Sequence, residues 1–386
     1  MKKFRLSCVL LLSCIAGCSK IDNIILGRDN TPPPSELAAF KPTLEVDQPW
    51  QNESSSGTGN TYLKILPAVD EEKVYAADYK GHVFAFERKT GKKVWKNSLN
   101  VRLTSGPVVM GDYLAVTDNQ ARVIVLDVNT GKRLWKHAVS NEIFAPPTIA
   151  EGKVFVKTVD GKLYAFDEQD GKQLWVYDHG ASGMAMRSGS SPQVLFGTVV
   201  AGFSDGKLDG LRADTGQLLW EKTIAIPEGV SDVERMVDID ANPVIDEGVA
   251  YVAAYQDSIS AMSLRDGQFL WQKKISTLNN MALSGNALYV TDTDGVVWAL
   301  DKSTGTVLWK QTALKGHRIT APAVMPGEAL ITADFQGMVH WISLDDGRFI
   351  NRTRPSKSAI YAEPVVDGQN VYVLSSSGKL VAYWIP

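Results

Sequence analysis

The sequence predicts an all-β protein: an eight-bladed β-propeller of four-stranded blades, its ring closed by an N-terminal strand that completes the last blade. Three observations predict it. A Trp recurs 28 positions after the start of each of six similar units, each unit holds short β-branched and aromatic runs separated by Gly, Asp and Asn, and no stretch sustains a helical period. A period of roughly 40 residues carrying four such runs is the sequence mark of a propeller blade.

Taken in order, the chain begins with Lys2, Lys3 and Arg5 followed by the apolar run Leu6 to Ile15, which is too short to span a bilayer. Residues 1–17 therefore read as an export signal. Ile15-Ala16-Gly17-Cys18 resembles the bacterial lipobox, which makes Cys18 the expected lipidation site. Two acyl chains hold a protein on a membrane without a spanning helix. Residues 18–42 then form a lipidated tether, stiffened by Pro32-Pro33-Pro34 and lying outside the ring to about Lys41. Ser19 follows the Cys, and in the Gram-negative sorting rule that this resembles, such a residue permits transfer to the outer membrane; the expected location is its periplasmic face. Cys8, Cys14 and Cys18 are the only cysteines, so the exported domain, residues 43–386, has no thiol for a disulfide or a metal site.

The repeating units run from Pro67 to Trp95, Pro107 to Trp135, Pro147 to Trp175, Pro192 to Trp220, Pro243 to Trp271 and Met281 to Trp309. In blade two the four strand runs are Pro107 to Val109, Leu114 to Thr117, Val123 to Leu126 and Arg133 to Val139. A Gly stands four residues before each Trp, after Thr or Asp, where a tight turn needs positive φ. Each of these Trp residues is expected to lie flat on the neighbouring blade. A seventh unit starts at Pro322 but carries Asn351 in the Trp position, and an eighth starts at Pro364 and stops after three strands. Leu44 to Trp50 has the strand pattern and the Trp that the eighth lacks, so it is expected to complete that blade and pair both free edges. Trp50, Trp95, Trp135, Trp175, Trp220, Trp271 and Trp309 are thus the expected docking residues.

The run Ala85 to Trp95 and its counterparts resemble the tryptophan-docking motif of the pyrroloquinoline-quinone dehydrogenases, which also use eight blades. The resemblance is confined to the blades. Those enzymes add a longer chain, calcium ligands and a vicinal disulfide, and the last cannot form without a Cys. Over essentially the whole chain, including lipobox, tether and split blade, the sequence resembles the BamB family, lipoproteins of the machinery that folds β-barrels into the outer membrane. The resemblance implies a non-enzymatic scaffold that aids folding and insertion of barrel proteins, and in the family two loops dock the periplasmic domains of BamA, the barrel subunit. Their counterparts are Met184-Ala185-Met186-Arg187-Ser188 and Glu234 to Asp240. Leucines are usual where this chain has Met184 and Met186; Met keeps the apolar size but is more adaptable.

Joint lengths point to the same loops. Among the six joints that follow Trp95, Trp135, Trp175, Trp220, Trp271 and Trp309, those before Pro192 and Pro243 are the longest, they are neighbours, and both must emerge on one face. Binding concentrates in loops on rigid scaffolds. Met184, Met186, Arg187, Asp238 and Asp240 are accordingly the candidate partner-binding residues: an Arg fork, an apolar pair and two acids. The alternative is an internal pairing of Arg187 with Asp238 or Asp240. Blade edges could also receive nascent barrel strands. The five histidines, His82, His137, His179, His317 and His340, occur singly, and Asp345-Asp346 and Asp292 with Asp294 fall at hairpin turns, so neither a catalytic set, a cofactor site nor a metal site is expected. A formal net charge of -3 offers no footprint for nucleic acid. Two other readings stay open: a quinone-cofactor dehydrogenase-like enzyme and a carbohydrate-binding surface lipoprotein.

Overall fold

In the computed structural model, residues 33–386 are described except 54, 60, 181–188, 228–229 and 232–235. Every regular element among them is a strand, and the strands form eight four-stranded antiparallel sheets arranged as the blades of a propeller. Blade two shows the pattern: Leu103–Met110 innermost, then Tyr113–Asp118, Arg122–Asp127 and Arg133–Ala138 at the rim. The two middle strands of each blade are buried on both faces because neighbouring blades cover them, which is why Val74–Ala77 and Val83–Phe86 are unbroken apolar runs. The core is correspondingly divided among the seams. One cluster joins Val123 and Val125 of blade two to Val154 and Phe166 of blade three.

The ring closes as the repeat predicts. Asp47–Asn52 pairs with Leu380–Trp384, Trp50 lying opposite Ala382, and supplies the fourth strand of blade eight. Trp50 then reaches blade one, where its indole covers the turn at Gly91 and its Nε1–H donates to Arg88 O at 2.8 Å. The same dock recurs at Trp95 on Gly131, Trp135 on Gly171, Trp175 on Gly216, Trp271 on Gly305 and Trp309 on Gly347, each indole N–H donating to a backbone carbonyl of that blade. The glycines have φ between 66° and 75°, and a Cβ on any of them would sit 2.5 to 2.6 Å from the ring. A one-residue bulge lies just ahead of the Trp position in blades one to seven.

Trp220 sits differently. Its indole lies over Gly210 of its own blade, and the Lys222 side chain covers Gly267 instead. The residue paired with the Trp is Ala or Val in the other blades (Ala85, Val125, Ala165, Ala261, Ala299); only Gly210 leaves room for a ring to fold back.

The segment leading to the closing strand is not a free spacer along its whole length, since residues 35–46 form a strap on blade seven. Ser35 N donates to Lys315 O at 3.0 Å and Ser35 O accepts from His317 Nε2 at 2.7 Å. Phe40 stacks on Phe349, with the Arg352 guanidinium over both rings, and Leu37, Leu44 and Val46 pack against the core. Asn351, in the Trp position of blade seven, donates from Nδ2 to Leu44 O at 2.8 Å. The substitution has a physical reason. A docking Trp needs the hairpin Gly of the next blade, and blade eight has no such hairpin because its third and fourth strands come from opposite ends of the chain.

Candidate partner-binding face

Antiparallel strands alternate in direction, so the turns between second and third strands share one face with the joints from each blade to the next. Most joints are short, as from Ser98 to Leu103 or from Lys273 to Ala282. The joint from Asn52 to Ala68, which leads from the closing strand to blade one, is long, and so are the joints from Asp178 to Gln193 and from Thr223 to Val244, on either side of blade four.

Their closing ends are fastened to one another. Ser190 Oγ donates to Ile239 O at 3.0 Å, and Ser191 N donates to Asn242 Oδ1 at 2.7 Å. Gly202 permits this approach, because a Cβ there would lie 2.3 Å from Ile239 Cγ2. Lys157 lies beneath, its Nζ donating to Ser190 Oγ at 3.0 Å and Gly202 O at 2.5 Å and resting 5.7 Å from the centre of the Phe203 ring. Burial pushes the Lys157 pKa down, and the charges of Asp238 and Asp240 oppose that shift. Both acids are largely buried, at 4% and 6% exposure. In the described structure they face inward and balance a buried lysine. Met184, Met186, Arg187 and Ser188 lie outside the described residues, as do Glu234, Arg235 and Cys18.

Two apolar side chains of the second joint stand in solvent, outside the repeat pattern. Ile226 is 68% exposed and Val230 99%, both in the second long joint. The legible signal was the apolar run Ile224-Ala225-Ile226 in a joint that belongs to no strand.

Asp240 also borders a cavity of about 650 Å³ at the mouth of the central channel. A chain of hydrogen bonds runs along its wall: Ser191 to Asn242, Asn242 N to Asn280 Oδ1 at 2.8 Å, and Asn280 Nδ2 to Glu363 Oε1 at 2.7 Å. Lys64 reaches across to donate to Leu278 O at 3.3 Å.

Histidines that look solitary in sequence are brought to carboxylates by the fold, within blade seven and across the seam between blades three and four. His340 Nε2 lies 2.9 Å and His317 Nδ1 3.5 Å from the same Asp334 oxygen. His179, at the start of the first long joint, is held between Asp209 (2.6 Å) and Asp205 (3.0 Å). Burial works against its charge, but the two hydrogen bonds and the carboxylate charges outweigh it and push its pKa up to about 9.

The profile of the family described as outer membrane protein assembly factor BamB matches residues 79–311 and 302–385. A protein of that name from Legionella pneumophila (strain Paris) is 49% identical over 379 residues, covering 98% of either chain. The crystal structure of BamB from Moraxella catarrhalis superimposes with a TM-score of 0.81 at 23% identity, over 88% of this chain and 100% of that one. A quinohemoprotein alcohol dehydrogenase from Comamonas testosteroni shares the propeller architecture at a TM-score of 0.68, with 13% identity over 88% of this chain and 76% of its own.

Proposed function

This chain belongs to the BamB family of outer membrane protein assembly factors, and on that premise we propose that it is a non-enzymatic scaffold of the β-barrel assembly complex. Its lipid anchor is Cys18, and its place is the periplasmic face of the outer membrane. The partner is the periplasmic part of BamA, the barrel subunit, and the outcome is folding and insertion of barrel proteins.

The observation that carries this reading is the extra chain in the two joints flanking blade four, the second of which exposes Ile226 and Val230. Met184, Met186 and Arg187 make the contacts: the guanidinium forks a carboxylate and the methionines fill an apolar pocket, with Ile226 and Val230 extending the surface. Asp238 and Asp240 act from below, setting the root of the second joint through Lys157. The channel mouth sets Lys64 against Asp240 and Glu363, a balance that opposes an anionic quinone cofactor.

The test is Arg187→Glu in the full-length chain, with co-purification of BamA from detergent-solubilised outer membrane as the readout. The far-ultraviolet spectrum is expected to stay that of the wild type while BamA is lost from the eluate. Undiminished co-purification would overturn the assignment of these contacts.

A further inference from the structure

We propose that His179, Asp209 and Glu221 bind one divalent transition-metal ion of the zinc class at the seam between blades three and four. One ligand atom from each lies within 4.8 Å of the others. His179 follows the outer strand of blade three, Gln173–Asp178, whereas Asp209 and Glu221 belong to the two outer strands of blade four, Lys207–Arg212 and Leu218–Thr223.

Asp209 and Glu221 stand directly opposite each other in the register. Two carboxylates in that position repel, and without a metal the repulsion is offset by the protonated His179 on Asp209. Lys207 Nζ, 3.0 Å from Glu221, does the same for the outer member of the pair. Asp209 is fully buried; its Oδ2 accepts from Tyr177 Oη at 2.9 Å and from His179 Nδ1 at 2.6 Å, but its Oδ1 is buried without a hydrogen-bond partner. Buried polar oxygens are rarely left so, and a bound ion or water is the usual explanation.

The imidazole is already oriented as a ligand. Its ring lies flat on Phe203, with centroids 3.9 Å apart and planes 7° from parallel, and Nε2 is tied to Asp205 at 3.0 Å. A carboxylate on the far nitrogen of a metal-bound histidine fixes its tautomer and raises its basicity. Nδ1 is thereby aimed at Asp209, where a metal would replace the proton. Tetrahedral zinc at about 2.1 Å from its ligands spaces them about 3.4 Å apart, so the His179–Asp209 pair opens by less than about 1 Å. Glu221 is solvent-exposed and swings from Lys207 to complete three protein ligands, leaving the fourth position to water. One imidazole and two carboxylates suit zinc among the first-row ions. The site would anchor the root of the joint that contains 181–188, but it stands without the partner reading, because binding is measured on the chain alone.

Titration of the untagged, chelator-stripped full-length chain with zinc chloride in a calorimeter tests the site. The expected result is one saturable ion per chain, with affinity lowered at least tenfold in Glu221→Gln and about 10- to 100-fold in Asp205→Asn, which touches only the imidazole. Cobalt(II) should give the visible absorption of a tetrahedral site, and His179→Gln should abolish it. Since Glu221 is exposed, its variant keeps the fold and decides the matter even if an Asp209→Asn chain does not. Absence of saturable binding, or binding that Glu221→Gln and His179→Gln leave unchanged, overturns the proposal and marks any zinc as adventitious.

Discussion

Replacing Trp50 by Ala removes the dock that closes the ring between blade eight and blade one. The side chain is 8% exposed, and it packs over the Gly91 turn and beside Tyr372. Burying about 200 Å² of Trp at about 25 cal/mol per Å² stabilises by about 5 kcal/mol, reduced to about 3–4 kcal/mol when the denatured chain keeps part of that burial. The lost Nε1–H bond to Arg88 O adds about 1 kcal/mol. With a urea dependence of about 3 kcal/mol per molar, the unfolding midpoint should fall by more than about 1 M. Trp220→Ala is the control. That indole folds back over Gly210 and makes no dock on the next blade's turn, so its removal should cost about 2 kcal/mol. Urea unfolding followed by far-ultraviolet circular dichroism compares the two. A Trp50→Ala midpoint equal to wild type, or a loss no greater than that of Trp220→Ala, would refute closure through this residue.

Two further outcomes follow from the same geometry and from one buried histidine. Gly131→Ala should destabilise more than Gly152→Ala: both positions have positive φ, but a Cβ at 131 meets the Trp95 ring at 2.5 Å whereas one at 152 meets nothing within 4 Å. The expected losses are about 2–4 kcal/mol against about 1 kcal/mol, read from thermal midpoints, and equal losses would contradict the docking geometry. His340 is fully buried, and burial holds its pKa below the ordinary value, with Asp334 opposing and Arg352 and His317 reinforcing the shift. The unfolded chain takes up a proton as the pH falls through about 6.5 while the native His340 stays neutral, so stability is full above that pH and declines below it. The thermal midpoint should therefore drop from pH 7 to pH 5 more steeply in wild type than in His340→Gln; an equal or opposite slope would show that this group does not set the acid response.

The repeat made the blades legible because each must solve one packing problem, a Trp laid on the next blade's turn, and solving it the same way fixes the spacing from Pro67 to Trp95 and in five further copies. Ring closure was legible for the same reason, since Trp50 stood where a dock was missing. What the repeat could not express is what breaks it. Gly210 opposite Trp220 reads as an ordinary strand glycine until the register shows it is the one partner without a side chain. The strap was hidden because Leu37, Phe40 and Leu44 are too few to give a period, and Asn351 reads as a lost Trp, whereas it is a gained hydrogen bond to Leu44. At the candidate face, excess joint length located the loops, but Asp238 and Asp240 looked like surface acids because their partner Lys157 lies some eighty residues earlier, on another blade. The carboxylate partners of His179 are likewise contributed across a seam, which sequence spacing does not record.

We propose that the two joints beside blade four hold the barrel subunit. Shortening the joint between Asp178 and Pro192 to the length of the joint between Ser98 and Pro107, keeping Ser190 and Ser191, and capturing the full-length lipoprotein from detergent-solubilised outer membrane puts this to the test. The expected result is a folded protein with an unchanged urea midpoint and no BamA in the eluate. BamA recovered at the wild-type amount on a folded, joint-shortened chain would contradict it.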